Sequence, residues 1–297
     1  MRISPFFTQF LLAFLLVSAQ LQAQHAPERD AAWRQRNQIA EITTFIHPLT
    51  EGKAAKEGIA IDRKVFDEEG RTIRQLQYDQ NGMESRRLEI TFDPRNHEKR
   101  TQTYAGEDSL ISLKTDLYNE FDLLMESQTV DEAGNMLAAT KILYDKQQHP
   151  IEQFAFSSQA RKDDVYLEVK RYFDKSGLLI KQKLFQPSGK AEQTQWFHYD
   201  LNRHEVEMEG NPKGKRQILR KRIYSPRGWV IEEIYASRRF QFKYDDNGNI
   251  LVKNIYEGES LQEVVRFRYN RRGWLVEKQH FQAEQLVEKM SFAYETF

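Results

Sequence analysis

Apolar and polar residues alternate with a period of two through much of the chain. In residues 240–244 three aromatic residues alternate with Gln241 and Lys243, and residues 265–269 repeat the alternation with arginines. A period of two is typical of a β-strand that turns one face toward a core. The pattern therefore predicts antiparallel strands, with helix confined to the amino-terminal signal and residues 28–37.

An aromatic residue followed by Asp or a turn-forming substitute recurs at a nearly fixed interval. The first four pairs begin at Phe66, Phe92, Tyr118 and Tyr144, each 26 residues after the last, and later pairs follow at steps of 20 to 29 residues. A fixed period indicates one repeated supersecondary unit. A second set of turn signals halves each period, so we expect about twenty strands of about nine residues between residues 39 and 292.

The predicted fold class is all-β, with tandem antiparallel β-hairpin repeats forming one long coiled or curled meander sheet. Flat sheets of this width are abnormal, so the sheet should coil. The repeat reads aromatic, Asp, two variable residues, Gly, which is the pattern of a type I turn followed by a left-handed residue. The predicted structural turn residues are Asp67, Gly70, Asp79, Gly82, Asp93, Asp174, Gly177, Gly228, Asp245, Gly248 and Gly273, with Asn96 and Asp122 in the left-handed position elsewhere.

The first residues read as an export signal. Arg2 precedes an apolar run at residues 10–17, and Ala19 and Ala23 are candidate cleavage positions. The chain has no cysteine, which excludes disulfides and a lipid-modified cysteine and favours a bacterial periplasm, cell surface or medium. We expect a signal peptide at 1–23, an amino-terminal cap and first strands at 24–64, the repeat array at 65–297, and no integral membrane segment after signal removal.

Charge and histidine content exclude several classes of function. The 44 basic and 44 acidic residues form no block of one sign, which argues against nucleic acid. His97, His149 and His204 each lie five residues after a repeat aromatic, as turn variants would, and His198 with His204 lacks a visible third zinc ligand. We therefore predict no enzyme activity, no metal and no cofactor.

Two repeat units carry a resemblance to a known family. Tyr78-Asp79-Gln80-Asn81-Gly82 and Tyr244-Asp245-Asp246-Asn247-Gly248 resemble the YD repeats of bacterial RHS and teneurin-type proteins, and the similarity spans residues 66 to 273. The resemblance implies a coiled β-sheet shell and carbohydrate binding or surface contact. The chain is short for a closed shell and shows neither a toxin domain after the last repeat nor an Asp-Pro-x-Gly-Leu boundary motif, so the resemblance is to a short secreted form.

Tryptophans are the candidate ligand contacts. Trp229 and Trp274 each follow a turn Gly, and Trp196 is the third candidate. The tryptophans form either an aromatic ladder in the core or an exposed platform for sugars or peptides. We expect an exported scaffold whose partner is a glycan or a surface protein. The alternative is a periplasmic lipid-handling protein with a concave apolar face. An outer-membrane barrel ranks below both, because charges occupy both strand faces and no outward band stays apolar. The sequence does not decide the oligomeric state.

Overall fold

The computed structural model describes residues 30–106, 108–156, 165–211 and 214–297. The predicted signal peptide with both cleavage positions, His25, and the turn signal at Pro212-Lys213 lie outside the described residues. Among the described residues, no helix combines the length and the apolarity needed to cross a membrane.

The described chain is almost entirely β-structure, as predicted. One short helix, α1 (Ala31–Arg36), precedes the strands. The strands are β1 (Ile39–Ile46), β2 (Leu49–Thr50), β3 (Lys53–Ala54), β4 (Ile59–Phe66), β5 (Thr72–Tyr78), β6 (Glu84–Asp93), β7 (Glu98–Ala105), β8 (Ser109–Tyr118), β9 (Leu124–Asp131), β10 (Met136–Tyr144), β11 (Pro150–Phe156), β12 (Val165–Phe173), β13 (Leu179–Phe185), β14 (Ala191–Tyr199), β15 (Glu205–Gly210), β16 (Gln217–Tyr224), β17 (Val230–Tyr235), β18 (Arg238–Tyr244), β19 (Ile250–Glu257), β20 (Ser260–Tyr269), β21 (Leu275–Gln282) and β22 (Gln285–Thr296).

Twenty of these strands form one sheet, and β2 and β3 form a separate hairpin. Strands β4 to β22 pair in chain order, and β1 pairs antiparallel with both β22 and β4. Ile42 of β1, for example, lies opposite Tyr294 on one side and Lys64 on the other. The sheet therefore closes into a β-barrel. The prediction of antiparallel hairpins is confirmed, whereas the prediction of an open coiled meander is wrong.

Closure also corrects two further expectations. The resemblance to YD-repeat proteins implied a coiling sheet and is contradicted by a sheet that closes after twenty strands. The aromatic-Asp turn specifies a hairpin but not how successive hairpins curl. The motif therefore cannot distinguish an open, coiling sheet from a closed barrel. The prediction of no integral membrane segment is also wrong, because it considered only apolar runs long enough for a membrane-spanning helix. A closed β-barrel leaves no unpaired strand edge and is itself a form that spans membranes.

The chain divides into two compact units. Unit 1 comprises Met1–Ile73, Phe242–Lys253 and Glu263–Phe297, and unit 2 comprises Arg74–Gln241 and Asn254–Gln262. The buried cluster of unit 1 contains Ile39, Phe66 and Trp274, with Trp33, Ile42 and Tyr294 packed against it.

Helix α1 lies directly against the first repeat turn in unit 1. The Asp30 carboxylate accepts the N–H of Ala32 at 2.8 Å, which caps the helix. Arg34 donates from Nε to the Gly70 carbonyl at 2.7 Å, and its guanidinium lies 4.5 Å from the centre of the Phe66 ring. A Cβ on Gly70 would come within 2.2 Å of the Ala31 carbonyl oxygen, so only glycine permits this approach.

Candidate functional site

Each aromatic-Asp pair begins a turn whose Asp carboxylate accepts backbone N–H groups. After β10, Asp145 Oδ1 accepts from Gln147 at 2.8 Å and from His149 at 2.9 Å. The same two bonds recur at Asp79, Asp174 and Asp245, while Asp67 accepts from Arg71 and Asp93 from Arg95. The backbone φ is positive at Gly70, Gly82, Gly177, Gly228, Gly248 and Gly273.

The turn after β6 differs from the prediction. Asp122 has the expected positive φ of 58°, but at the turn that follows Asp93 the left-handed residue is His97, with φ 49°, and not Asn96. The reason is that β6 and β7 pair without a bulge up to Asp93 and Glu98. This leaves a four-residue loop whose last residue reverses the chain.

Five tyrosines each tie their own hairpin to the one before it. The Tyr144 hydroxyl donates to the Leu124 carbonyl at 2.8 Å, and the Tyr199 hydroxyl donates to the Leu179 carbonyl at 2.9 Å. Tyr224 makes the same bond in unit 2, and Tyr269 and Tyr294 make it in unit 1. The acceptor begins the strand that follows the preceding repeat turn. These bonds, which we term tyrosine clasps, explain why an aromatic residue with a hydroxyl recurs.

Two turn histidines stack on the aromatic residue of the next repeat. The His149 and Phe173 rings are 4.6 Å apart at 18°, and His204 and Tyr224 have the same geometry. Each imidazole Nδ1 also lies within hydrogen-bond distance of its own turn carboxylate, 3.0 Å for His149 and 3.2 Å for His204. Both histidines therefore have packing roles that occupy their rings, and His204 does not join His198.

The two faces of the sheet in unit 2 carry different residues. Cross-strand pairs from β7 to β17 place five buried polar residues on a single face of the sheet, here called the polar face. These residues are Thr103, Asp116, Ser127, Arg220 and Glu233. Buried Val169 and Val230 share it. The opposite face, here called the aliphatic face, carries exposed Leu117, Met136, Val165, Ile218 and Ile223, with Leu76 as its buried member.

Charges on the polar face are paired. Asp116, only 2% exposed, lies 3.3 Å from Lys99 Nζ and 2.9 Å from Lys114 Nζ. Arg222 Nε donates to Glu233 at 2.8 Å. Arg220 forms an ion pair with Glu205 nearby. A buried charge needs such a partner because its desolvation is costly.

The three candidate tryptophans lie in different environments. Trp274 in unit 1 is 6% exposed; its ring centre lies 5.1 Å from that of Tyr294 and its Nε1–H donates to Asn37 at 3.3 Å. In unit 2, Trp229 and Trp196 are half-buried, with the guanidinium of a neighbouring arginine over each ring. At Trp274 the geometry corresponds to the core-ladder alternative.

No protein-family model matches the chain, and no curated protein matches it. The chain is similar to two solved structures. One is a porin-like protein from Bacteroides uniformis, with 9% identity, a TM-score of 0.39, and coverage of 86% of this chain and 98% of that chain. The other is a porin-like protein from Bacteroides vulgatus, with 10% identity, a TM-score of 0.23, and coverage of 87% and 99%.

Proposed function

We propose that the protein is an outer-membrane β-barrel that acts without catalysis. The observation that carries this proposal is the division between the two faces in unit 2: one face buries five polar side chains, four of them able to carry charge or donate to a charged partner, while large apolar side chains exposed on the strands lie on the other face. A sheet that folds in water shows the opposite division, with apolar residues buried. A barrel in lipid carries its apolar residues outside and its polar residues inside.

The β-bulges of unit 2 carry mainly aliphatic residues, although one of them, Leu219, lies toward the polar face, with its Cδ1 against the position that a Cβ on Gly210 would take. At eight register shifts the extra residue is apolar, namely Ile111, Met125, Leu137, Ile151, Ile180, Val206, Leu219 and Ile231. At three others it is polar, namely Ser85, Glu168 and Glu192. Ile231 directly follows buried Val230, so by strand alternation its side chain points to the other face. An aliphatic residue at so many bulges indicates an apolar environment around the strand ends.

Three ion pairs on the aliphatic face join neighbouring strands. Lys141 lies 3.2 Å from Glu126, Lys170 lies 2.7 Å from Glu152, and Lys221 lies 3.3 Å from Glu207. Each pair cancels its own charge, which lowers the penalty for contact with lipid headgroups. The expectation against a membrane barrel rested on the presence of charges on both strand faces and on the lack of an outward apolar band.

Strand number and length also favour a barrel in the outer membrane. Bacterial outer-membrane barrels have an even number of antiparallel strands, and this sheet has 20. The longest strands of unit 2, β6 and β8, have 10 residues, about 33 Å at the usual rise. The shorter strands suit a thin bilayer, and the bacterial outer membrane is thinner than average. The lipid-handling alternative loses support, because the described residues of the polar face in unit 2 form no continuous aliphatic lining.

Fractionation of a Gram-negative host tests this proposal. We expect the full chain to sediment with outer membranes, to resist carbonate extraction, and to migrate differently in gels before and after boiling. Release into the soluble periplasm would contradict the proposal.

A matched pair of variants in β8 sharpens the test. Leu113 lies on the aliphatic face, opposite Val130, and Ser112 lies on the polar face, opposite Thr103. In lipid, Leu113→Arg should destabilise the barrel by about 2–4 kcal/mol, because the charge is forced toward the bilayer centre, whereas Ser112→Arg should be tolerated. Equal recovery of both folded variants from the membrane fraction would contradict the assignment of the faces.

A further inference from the structure

We infer that His198, Glu207 and Glu209 form a binding site for a divalent transition-metal ion. The site goes beyond the proposed membrane function. It lies on the aliphatic face next to the end of β14, so in the proposed barrel it belongs to the level at which the strands meet water. Among the described residues, this is a group of three potential ligands whose nitrogen and oxygen atoms all lie within 4.8 Å of one another.

The register of two neighbouring strands builds the group. His198 of β14 is the cross-strand partner of Glu207 in β15, and Glu209 lies two residues further along the same face. His198 Nε2 lies 2.9 Å from Glu209 Oε2, which shows that the imidazole and the carboxylate already converge. His198 is 45% exposed and is the last residue but one of β14, so an ion reaches the group from the water at the strand end without rearrangement of the backbone.

The ligand types define the class of ion. One imidazole and two carboxylates suit Zn²⁺ and the neighbouring first-row metals, which accept nitrogen and oxygen ligands together. Three protein ligands leave a fourth position of a tetrahedral site for water. Mg²⁺ and Ca²⁺ prefer oxygen ligands alone and should compete weakly.

Two exposed cations now balance the carboxylates. Arg216 forms an ion pair with Glu209, and Lys221 Nζ lies 3.3 Å from Glu207. Both side chains are about half exposed, 52% for Arg216 and 49% for Lys221, so each can turn into solvent when an ion binds. Arg216 also lies over the Trp196 ring at 4.5 Å, so its displacement should change the tryptophan fluorescence.

Substitutions of His280 and Arg216 supply controls for the inferred metal site. His280 lies 2.8 Å from Glu263, a similar imidazole–carboxylate pair, but it belongs to no group of three potential ligands in the described chain. His280→Ala therefore removes an equivalent pair without removing the inferred site. Arg216→Ala removes a competitor and leaves all three ligands in place.

Titration of the purified, tag-free full chain with ZnCl₂ tests the site, with binding measured by calorimetry and by competition with a chromogenic chelator. We expect one saturable site, loss of at least about tenfold in affinity for His198→Ala and Glu209→Gln, and no change for His280→Ala, where tenfold corresponds to about 1.4 kcal/mol. Arg216→Ala should tighten binding. Circular dichroism of each variant verifies that the strands persist.

Several outcomes would overturn the inference. These are absence of saturable Zn²⁺ binding by the native chain, native-like affinity in folded His198→Ala, equal loss in His280→Ala, or full displacement of Zn²⁺ by equimolar Mg²⁺. Because Zn²⁺ binding is measured in detergent or buffer, it succeeds or fails independently of membrane integration.

Discussion

Replacing Gly177 with alanine tests whether each turn packs against the histidine of the preceding turn. Gly177 has a φ of +82°, and a Cβ placed there would lie 2.9 Å from His149 Nε2. Gly189 is the matched control, because it has a φ of +78° in a turn of the same kind but no atom within 4 Å of its Cβ position. Both substitutions force an L-residue into the left-handed region, which costs about 1–2 kcal/mol.

Only Gly177→Ala also meets a neighbour. The His149 ring cannot easily move aside, because it stacks on Phe173 at 4.6 Å and its Nδ1 lies 3.0 Å from Asp145. Overpacking of this kind costs about 1–3 kcal/mol, so Gly177→Ala should destabilise by that amount beyond Gly189→Ala.

Urea unfolding monitored by fluorescence measures the difference between the two variants. In the double variant His149→Ala/Gly177→Ala the clash is gone, so the extra cost should disappear and the two changes should be strongly non-additive. Equal destabilisation by the two single glycine variants would refute the proposed packing between turns.

Three further predictions follow from bonds within unit 2 and its turns. Tyr199→Phe should lower the free energy of unfolding by about 1–3 kcal/mol in urea, because the Leu179 carbonyl loses its donor; native stability would contradict the tyrosine clasp. Glu233→Gln should cost about 1–3 kcal/mol, since the buried Arg222 loses its closer carboxylate and keeps only the 3.7 Å pair with Glu205. Glu126→Gln at an exposed pair should cost less than about 1 kcal/mol, and similar urea midpoints for the two variants would argue against the buried pair. Backbone N–H donors lower the pKa of the turn carboxylates Asp79, Asp145 and Asp174. Their contribution to the free energy of unfolding should therefore be fully present above the ordinary aspartate pKa of about 3.9 and should fall as the pH drops through the lower folded values. An unfolding free energy that stays constant between about pH 5 and 2 would contradict this prediction.

Local chain geometry was predictable from the sequence because it depends on neighbouring residues. Alternation of apolar and polar residues defined the strands, and the Asp and Gly spacing defined the hairpins. Closure was not predictable, because it depends on β1 pairing with β22 and β4, and no local pattern specifies partners so far apart in the chain.

The candidate metal group escaped prediction because a bulge creates it. Tyr199 pairs with Glu205 and His198 pairs with Glu207, so Val206 is the extra residue that shifts the register. Without that bulge, Val206 would lie opposite His198, and Glu207 would lie on the other face. A search for a second histidine near His198 pointed instead to His204, whose ring is held by Asp200 and Tyr224.

Tyrosine clasps were missed for a related reason. The sequence shows that an aromatic residue precedes each turn, but the hydroxyl acceptor lies 19 or 20 residues away on the preceding hairpin. The signal was present in the preference for Tyr over Phe at several repeats. The role of the hydroxyl becomes clear only in the folded sheet, where the tyrosine lies close to the carbonyl group on the preceding hairpin.

Lipid exposure of the two faces of β8 tests the central claim most directly. The chain has no cysteine, so Leu113→Cys and Ser112→Cys each create a single attachment position for a nitroxide spin label. In vesicles, a label at position 113 should collide readily with lipid-soluble oxygen and rarely with a water-soluble nickel chelate, and a label at position 112 should show the reverse. A protein that does not enter vesicles, or labels that are equally accessible to the nickel chelate at both positions, would contradict an outer-membrane barrel.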